Sequence, residues 1–432
     1  MSDFSIASHH NEHLPEGGTE VVTMLSITSA YGATTPSGEH SVIVIMGDKS
    51  GSMRTPFDRS ADEPVSKMAA ARDALSAAID HLADGTEFAV IAGNHQAEQC
   101  YPEEGGLVVA SDRTRAAARR AIQLISPGGG TAMSTWLAAA RELFESRPDA
   151  IRLGILVTDG KNESEEPEAL DQELERCAGV FQCECRGVGT GWVVEELRRI
   201  SGALLGGIGM IRSSAQMQQD FSEMIDTAVA KRTADVSLRL WVPRRCEIVD
   251  LQQVAPVIEG LMGLAAARSE LVTDFPTGAW ATERRDYLVR IRVAPGELGD
   301  DVLAARASVV IGDEVVAQTM VRATWTDDPS LSSPIAREVA HYTGQAKLSL
   351  AIRKGLAARN EGRTDAAEAA LGAAVRLATA ADNTEILELL ERIVDVVDAA
   401  EGVVRLRSGV DLGDEMELDT KSTKTQRVKR TS

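Results

Sequence analysis

The first half of the chain alternates short apolar runs with longer stretches that favour helix. The apolar runs cover residues 42–46, 88–92, 107–110, 151–157 and 181–188, and the helical stretches between them cover 66–82, 113–124, 132–144 and 167–178. Strands that are apolar at every position are typical of a parallel sheet that is covered by helices on both faces. The pattern therefore predicts a doubly wound α/β domain over residues 38–230.

Beyond residue 230 the apolar positions recur at every second residue. Val236, Leu238 and Leu240 alternate with the residues between them, and a period of two indicates half-buried antiparallel strands. The pair Gly312-Asp313 separates two further strand-like runs and is typical of a two-residue hairpin turn. Residues 232–326 are therefore predicted to form a small antiparallel β-sandwich.

A further strand signal precedes the α/β region. Residues 20–28 have strand composition, but Gly32, Pro36 and Gly38 separate them from the first strand of the α/β domain. An isolated strand needs a sheet to join, so we expect this strand to cross over to the sandwich. Residues 1–36 are then an N-terminal tail followed by a sandwich strand, and the α/β domain is an insertion in the sandwich.

Residues 334–408 are predicted to be helical. Helices are expected at 335–359, 364–380 and 385–400, with Thr364 as the N-cap of the second helix. The first two resemble one helical hairpin of the tetratricopeptide type, but such repeats need about three copies for stability. A plain helical hairpin packed on the sandwich is the favoured interpretation.

The last residues, 409–432, form an acidic block followed by a basic block. Neither block has an apolar period, which is typical of a disordered tail. Serines and threonines interleaved with the basic residues leave a second interpretation open, in which a Ser/Thr kinase phosphorylates the tail.

Side chains that carry oxygen follow three of the predicted elements. Asp48, Ser50 and Ser52 come directly after the first apolar strand, at alternate positions. Thr131 follows three glycines at the start of a helix, and Asp159 follows a third strand. Ligands bind beyond the carboxyl ends of parallel strands, so we expect these oxygens to meet at one edge of the sheet. Capping of a local turn is the alternative for any single loop, but it gives no reason for three loops to converge.

This combination resembles the metal-ion-dependent adhesion site (MIDAS) of the von Willebrand factor type A (VWA) family. The family pattern, Asp-x-Ser-x-Ser on one loop, Thr on a second and Asp on a third, is met in the same order. The likeness covers residues 40–230 and is to the bacterial intracellular type. It implies that the hydroxyls of Ser50, Ser52 and Thr131 bind the metal directly, and that the carboxylates of Asp48 and Asp159 act largely through water.

The resemblance also implies a function. Mg²⁺ is the expected ion because it prefers octahedral oxygen coordination, and Mn²⁺ or Ca²⁺ would accept the same ligands. In the family, neutral ligands leave the ion electrophilic toward a carboxylate that a partner protein supplies. We therefore expect a metal-dependent protein-protein interaction module, such as an intracellular assembly or regulatory scaffold, and not an enzyme.

The alternative function is a Mg²⁺-dependent hydrolase that acts on a phosphorylated substrate. Such an enzyme needs a nucleophile or a general base near the ion. Asp58, Asp62 and His95 are the candidate groups near the motif, and their spacing forms no recognisable arrangement.

Composition narrows the functional classes. The 432 residues include 45 Lys and Arg against 65 Asp and Glu, a net charge of −20, and only 4% are aromatic. A nucleic-acid surface needs clustered cations and stacking rings, so nucleic acid is not an expected partner. No apolar stretch is long enough to span a bilayer, and the first residues lack a signal-peptide pattern. We therefore expect a cytoplasmic protein without a membrane partner.

The cysteines and histidines suggest a second metal site only weakly. The chain has five cysteines, which fits a reducing compartment. Cys100, Cys177, Cys183 and Cys185 lack the paired spacing of most structural zinc sites, and packing in the core is the favoured interpretation. The three histidines near the N-terminus are expected to lie in a solvated tail.

Overall fold

A computed structural model describes residues 3–30, 40–57, 65–425 and 427. The described chain divides into two compact units. The α/β unit is drawn from residues 34–234 and 278–281, and the sandwich unit is drawn from residues 1–33, 235–277 and 282–432. The residues before the α/β unit and the residues after it therefore fold together.

The strands, numbered in chain order, are β1 (Asp3–His9), β2 (His13–Pro15), β3 (Glu20–Ala30), β4 (Ser41–Asp48), β5 (Glu87–Gly93), β6 (Ala97–Tyr101), β7 (Val108–Val109), β8 (Ile151–Thr158), β9 (Gln182–Val188), β10 (Ile208–Ile211), β11 (Thr233–Trp241), β12 (Cys246–Ala255), β13 (Glu259–Gly260), β14 (Ala266–Ser269), β15 (Val272–Trp280), β16 (Arg284–Val293), β17 (Asp301–Ile311), β18 (Glu314–Thr326), β19 (Val394–Asp398) and β20 (Val403–Leu406).

The helices are α1 (Lys67–Asp80), α2 (Asp112–Gln123), α3 (Met133–Glu145), α4 (Pro167–Cys177), α5 (Val194–Ala203), α6 (Ser214–Val229), α7 (Pro329–Ser332), α8 (Arg337–Asn360), α9 (Thr364–Ala380), α10 (Thr384–Ile393) and α11 (Leu412–Lys421). Short 3-10 turns lie at Gly51–Arg54 and Met262–Leu264. Among the described residues, no helix is long and apolar enough to cross a membrane.

The α/β unit is built on a sheet with the strand order β10-β9-β8-β4-β5-β6, and β7 also pairs with β5. β4 lies near the centre and runs parallel to both of its neighbours, β5 and β8. At the end of β4, Asp48 lies level with Gly93 of β5, and Gly47 lies level with Val157 of β8. This register puts the loops that follow β4 and β8 at the same edge of the sheet.

The prediction of a parallel sheet is wrong at one edge. β6 and β7 run antiparallel to β5. Only a few residues connect β5 to β6, and a connection of that length joins antiparallel strands because a parallel pair needs a long crossover.

The core of the α/β unit lies between the sheet and the helices, as the apolar runs predict. Every side chain from Val42 to Met46 is buried. Ile43 and Phe88 of the sheet share a core cluster with Leu75 of α1 and Phe221 of α6. A strand with no exposed position is what a sheet covered on both faces requires.

The cysteines of this unit pack as core residues. Cys177, Cys183 and Cys185 are buried free thiols, and burial raises the pKa of Cys177 to about 12. In the part of the chain that the structure describes, no group of three or more His, Cys, Asp or Glu side chains could hold a metal ion. Core packing is therefore the better interpretation of these residues.

The sandwich unit has one sheet with the order β1-β3-β16-β12-β13 and another with the order β14-β15-β11-β17-β18-β2. β3 pairs antiparallel with β16, and Leu25 lies opposite Tyr287. Met24, Leu25 and Ile27 of β3 are all buried. The strand signal that precedes the α/β unit therefore belongs to a strand of the sandwich.

The N-terminal residues are not a tail, so that prediction is wrong. β1 pairs antiparallel with β3, and β2 pairs parallel with β18. Phe4 and Leu14 are buried, and Nε2 of His10 lies 2.9 Å from the carbonyl oxygen of Arg322. Two or three apolar residues are too few to give a visible period, and the partner strands set the register of these strands.

The turn between β17 and β18 is the two-residue hairpin that the sequence predicts. Ile311 pairs with Glu314, and Gly312 has a φ of 57°. Glycine adopts this left-handed conformation without a steric penalty, which two-residue hairpin turns require.

α8 and α9 form the predicted helical hairpin. They approach closely where α8 has a glycine, because a Cβ on Gly355 would lie only 2.6 Å from Cγ of Leu371. α9 begins at Thr364 with Arg363 in the N-cap position. The prediction of Thr364 as the N-cap is therefore wrong by one residue.

The predicted helix at 385–400 ends earlier, at Ile393. β19 and β20 follow it as an antiparallel hairpin. Three of the five residues of β19 are valines, and β-branched residues favour a strand over a helix. Gly402, with a φ of 71°, lies in the turn. Helix composition alone did not show that the pattern changes at this point.

Within the last segment, Leu412–Lys421 form the helix α11. The prediction of a disordered tail at 409–432 is therefore wrong for these residues. Leu418 is 0% exposed and packs in a cluster with residues of α8, α9 and α10. Asp411 caps the helix by accepting the N–H of Gly413 at 2.9 Å. Acidic residues occupy the first turn and Lys421 the last. These charges stabilise the helix because they interact favourably with its dipole. The start of the acidic block and the first basic residue, Lys421, thus lie at opposite ends of one helix.

The segment after α11 continues along the sandwich unit. The carbonyl of Thr423 accepts the N–H of Ile258 at 2.8 Å. Thr420, Ser422 and Thr423 are buried, so the folded chain does not present them to a kinase. The last two hydroxyl residues of the chain lie outside the described residues.

A buried hydrogen-bond network attaches α8 to the sandwich. The carboxylate of Asp286 is 0% exposed and accepts hydrogen bonds from Ser26 Oγ at 2.6 Å, Arg284 Nε at 2.8 Å and the hydroxyl of Tyr342 at 2.7 Å. Burial, and then the Asp286 carboxylate, raises the pKa of Tyr342. The hydroxyl of Tyr342 therefore stays protonated and continues to donate.

Two leucines of α11 provide a matched test of its packing. We expect Leu418→Ala to lower the free energy of unfolding of the full chain by about 2–5 kcal/mol, because it leaves a cavity in a buried cluster. Leu412 is 53% exposed, and Leu412→Ala should change stability by less than about 0.5 kcal/mol. Urea unfolding followed by circular dichroism measures both. Equal, small effects would show that α11 does not pack.

A double-mutant cycle tests the network at Asp286. We expect Tyr342→Phe to cost about 1–3 kcal/mol, because a buried carboxylate loses a donor. When Asp286 is already replaced by Asn, the cost of Tyr342→Phe should fall by about 0.5 kcal/mol or more. Additive effects in urea unfolding would contradict a direct interaction between the two side chains.

Candidate metal centre

The first loop of the site begins where β4 ends. Asp48 is only 3% exposed. Its Oδ1 accepts the backbone N–H of Ser50 at 2.6 Å, and its Oδ2 accepts the hydroxyl of Thr158 at 2.6 Å. These two hydrogen bonds fix the carboxylate against the ends of β4 and β8.

Burial dominates the electrostatics of Asp48. It raises the pKa of the Asp48 carboxyl, although the hydrogen bonds from Ser50 and Thr158 act in the opposite direction, and the nearby charge of Asp159 adds to the rise. A cation placed beside this carboxylate would relieve that cost, since opposite charges favour the ionised form.

The two serines of the first loop reach toward the third loop, which follows β8 and contains Asp159. The hydroxyl of Ser52 donates to Oδ1 of Asp159 at 2.6 Å. Oγ of Ser50 lies 2.9 Å from Oγ of Ser52. The first and third loops are therefore joined through their own side chains.

Thr131 completes the arrangement around Gly160. A Cβ added to Gly160 would lie 2.9 Å from Oγ1 of Thr131, 3.6 Å from Oγ of Ser52 and 3.7 Å from Oδ2 of Asp48. The second loop lies before α3 and contains Thr131. Oxygens from the first and second loops thus surround one point on the third loop. Glycine at this position leaves the space between them free, whereas any side chain would enter it.

The second loop is fastened to the first through backbone hydrogen bonds. The N–H of Gly51 donates to the carbonyl of Gly129 at 2.9 Å, and the N–H of Gly128 donates to the carbonyl of Lys49 at 2.7 Å. Gly129 has a φ of 82°, and a Cβ there would lie 2.5 Å from Nδ1 of His95. Glycine is therefore required for this close approach.

Side chains of the third loop hold Thr131 and the start of α3. Ser164 accepts the N–H of Thr131 with its Oγ at 3.1 Å and donates its own N–H to the Thr131 carbonyl at 3.0 Å. Asn162 accepts the N–H of Met133 at 2.8 Å, and Glu165 accepts the N–H of Ser134 at 3.1 Å.

Sequence reasoning missed Asn162, Ser164 and Glu165. One indirect signal was present, because the N-cap residue of α3 is Ala132 and alanine cannot cap a helix with its side chain. The N–H groups of the first turn therefore needed an acceptor from elsewhere in the fold.

A lysine also lies in the site, and no motif predicted it. Nζ of Lys67 donates to Oδ2 of Asp159 at 2.9 Å. The Asp159 side chain is 0% exposed and that of Lys67 is 11% exposed, so the pair is buried. Lys49, a variable position of the motif, pairs instead with Glu98.

The structure therefore brings together all five residues of the predicted site, Asp48, Ser50, Ser52, Thr131 and Asp159. Their donor set is three hydroxyls and two carboxylates, and hard ions such as Mg²⁺ prefer oxygen ligands. The residues fit such an ion both in their chemistry and in the space that Gly160 leaves.

Of the three groups named for a hydrolase, the structure describes His95 alone. Asp58 and Asp62 lie outside the described residues. His95 is exposed, and its ring lies against Gly129 at the rim of the second loop.

Comparisons with known proteins agree with the fold, and the matches cover nearly all of this chain. A family model described as the von Willebrand factor type A domain matches residues 41–208, and one described as the von Willebrand factor type A C-terminal domain matches residues 376–422. The second match reaches the end of α11, in the segment that the charge pattern predicts to be a tail.

Among solved structures, a von Willebrand factor type A protein from Catenulispora acidiphila is 41% identical, with 99% of this chain and 97% of that chain covered and a TM-score of 0.92. The ArnB paralog VWA2 from Sulfolobus acidocaldarius is 15% identical, with 98% of both chains covered and a TM-score of 0.59, which is a likeness of fold alone. No curated protein sequence matches the chain. On the identity and coverage of the Catenulispora protein, the chain belongs to the von Willebrand factor type A family.

Proposed function

We propose that this protein is a Mg²⁺-dependent interaction module whose metal centre binds an acidic side chain of a partner protein. The convergence of oxygens from Asp48, Ser52 and Thr131 around Gly160 carries the proposal. Three neutral hydroxyls and two carboxylates suit Mg²⁺, and Mn²⁺ or Ca²⁺ would accept the same set.

Each residue has a distinct role in the proposal. Ser50, Ser52 and Thr131 offer uncharged oxygens that would hold the ion directly. Asp48 and Asp159 supply negative charge and orient the serines, since Asp48 accepts the N–H of Ser50 and Asp159 accepts the hydroxyl of Ser52. When bound, the ion supplies an electrophilic position for a carboxylate oxygen of the partner.

We propose further that the site binds and does not catalyse. A general base needs a lone pair directed at the proton that it removes. Both carboxylates already accept hydrogen bonds: Asp48 accepts from Ser50 and Thr158, and Asp159 accepts from Ser52 and Lys67. In this proposal the two carboxylates serve to hold the loops together.

The proposed setting is an assembly or regulatory scaffold in the bacterial cytoplasm. All five cysteines are free thiols, which supports a reducing compartment. The net charge of −20 opposes nucleic acid as the partner. A protein that offers a carboxylate at the metal centre is the proposed ligand.

Metal binding depends on Asp48 in this proposal. We expect Asp48→Ala to abolish Mg²⁺ binding measured by calorimetry and to leave the circular dichroism spectrum unchanged. Asp73 is an exposed carboxylate on α1, and Asp73→Ala should bind Mg²⁺ as the wild type does. Unaltered Mg²⁺ affinity in Asp48→Ala would rule out this assignment of the site.

Partner capture should depend on the same carboxylate. We expect the full-length protein to retain a partner from an extract of its native host with Mg²⁺ present, and to release it when EDTA is added. Asp48→Ala should not retain that partner, whereas Asp73→Ala should. A partner that stays bound in EDTA and also binds Asp48→Ala would show that the interaction does not use the metal centre.

A further inference from the structure

The ion pair between Lys67 and Asp159 occupies one side of the candidate metal centre. Asp159 accepts Ser52 Oγ at its Oδ1, at 2.6 Å, and Lys67 Nζ at its Oδ2, at 2.9 Å. Both oxygens of this buried carboxylate are therefore engaged by the chain itself. A lysine is seldom buried unless its charge is paired, so Asp159 is the counter-ion that keeps Lys67 inside.

The backbone holds Lys67 in this position. Lys67 is the first residue of α1, which Ser66 caps by accepting the N–H of Ala69 at 3.1 Å. The N–H of Lys67 donates to the carbonyl of Thr55 at 2.8 Å. At the end of β9, a Cβ on Gly189 would lie 3.1 Å from both Cε and Nζ of Lys67. The lysine side chain thus passes over a glycine to reach the carboxylate.

The lysine changes the charge that a metal ion would meet. Asp48 and Asp159 together carry two negative charges, which would neutralise a divalent cation. Lys67 cancels one of them, so the three side chains carry one negative charge. A bound divalent ion would then leave the centre with a net positive charge. Such a centre holds the ion more weakly and attracts an anionic ligand more strongly.

We propose that Lys67 is a specificity-determining residue that competes with the divalent ion for Asp159 and lowers the affinity of the free protein for that ion. This inference rests on the proposed function of the site. It assigns Lys67 the task of keeping the ion under-compensated, so that a carboxylate from a partner completes the charge balance. At an effective dielectric constant near 20, repulsion between the Lys67 ammonium and a divalent ion is large enough to change the affinity for that ion by about tenfold or more.

Calorimetric titration of the full-length protein with Mg²⁺ alone tests the inference. We expect Lys67→Met to bind Mg²⁺ about tenfold more tightly than the wild type, or tighter still, because Asp159 is released and one positive charge is gone. Lys67→Arg keeps the charge and should stay within about threefold of the wild type. Lys161 is exposed in the third loop, and Lys161→Met should also stay within about threefold.

Melting temperatures with and without Mg²⁺ separate a loss of stability in Lys67→Met from a change in its affinity for the ion. Without Mg²⁺, Lys67→Met should melt at a lower temperature than the wild type, because it leaves Asp159 buried and unpaired. The rise in melting temperature on adding Mg²⁺ should be larger for Lys67→Met than for the wild type. A merely structural role for Lys67 would lower the melting temperature without increasing that rise.

The outcomes separate this inference from the proposed function. If the wild type binds Mg²⁺, Asp48→Ala does not, and Lys67→Met binds no more tightly than the wild type, the inference fails and the metal centre stands. If only Lys67→Met binds Mg²⁺, Lys67 suppresses the ion and the wild type is not a Mg²⁺-dependent module. If neither binds Mg²⁺, both proposals fail.

Discussion

Parallel pairing of β4 with β8 is the constraint on which the candidate site depends. It places Asp48, at the end of one strand, within 2.6 Å of the hydroxyl of Thr158 at the end of the other. The carboxyl ends of parallel strands lie at the same edge of a sheet, so loops that are far apart in sequence meet there. Gly160 then leaves the space into which oxygens from two other loops point.

The charges of the two carboxylates in the site are balanced by neighbouring groups, and the overall composition of the chain does not predict this balance. The net charge of −20 says little about the interface, because the two decisive carboxylates are buried and individually hydrogen-bonded. Placing two like charges together is unfavourable. Lys67, at 2.9 Å from Asp159, offsets part of that cost, and a divalent ion would more than offset the rest and leave a net positive charge. The proposed preference for an acidic partner thus follows from three side chains and one ion.

The sandwich unit shows a second use of residues that are distant in sequence. β3 precedes the α/β unit and β16 follows it, yet they pair along their length. Asp286 of β16 binds Ser26 of β3 and Tyr342 of α8, so one buried carboxylate connects two neighbouring strands of the sandwich with a helix. The N-terminal segment and α11, which have weak local patterns, are ordered through such partners.

Elements whose pattern is strong over their own length are predictable from the sequence. The apolar run of β4, the hairpin at Gly312 and the spacing of Asp48, Ser50 and Ser52 are local features, and periodicity or turn chemistry is sufficient to predict them. The other features depend on contacts between residues that are distant in sequence. Lys67 meets Asp159 from 92 positions away, and Asn162 and Glu165 cap α3 from 29 and 31 positions away. Such contacts depend on how loops fold over a common sheet edge, which no period along the chain records, and the burial of α11 depends in the same way on partners that its charged sequence does not reveal.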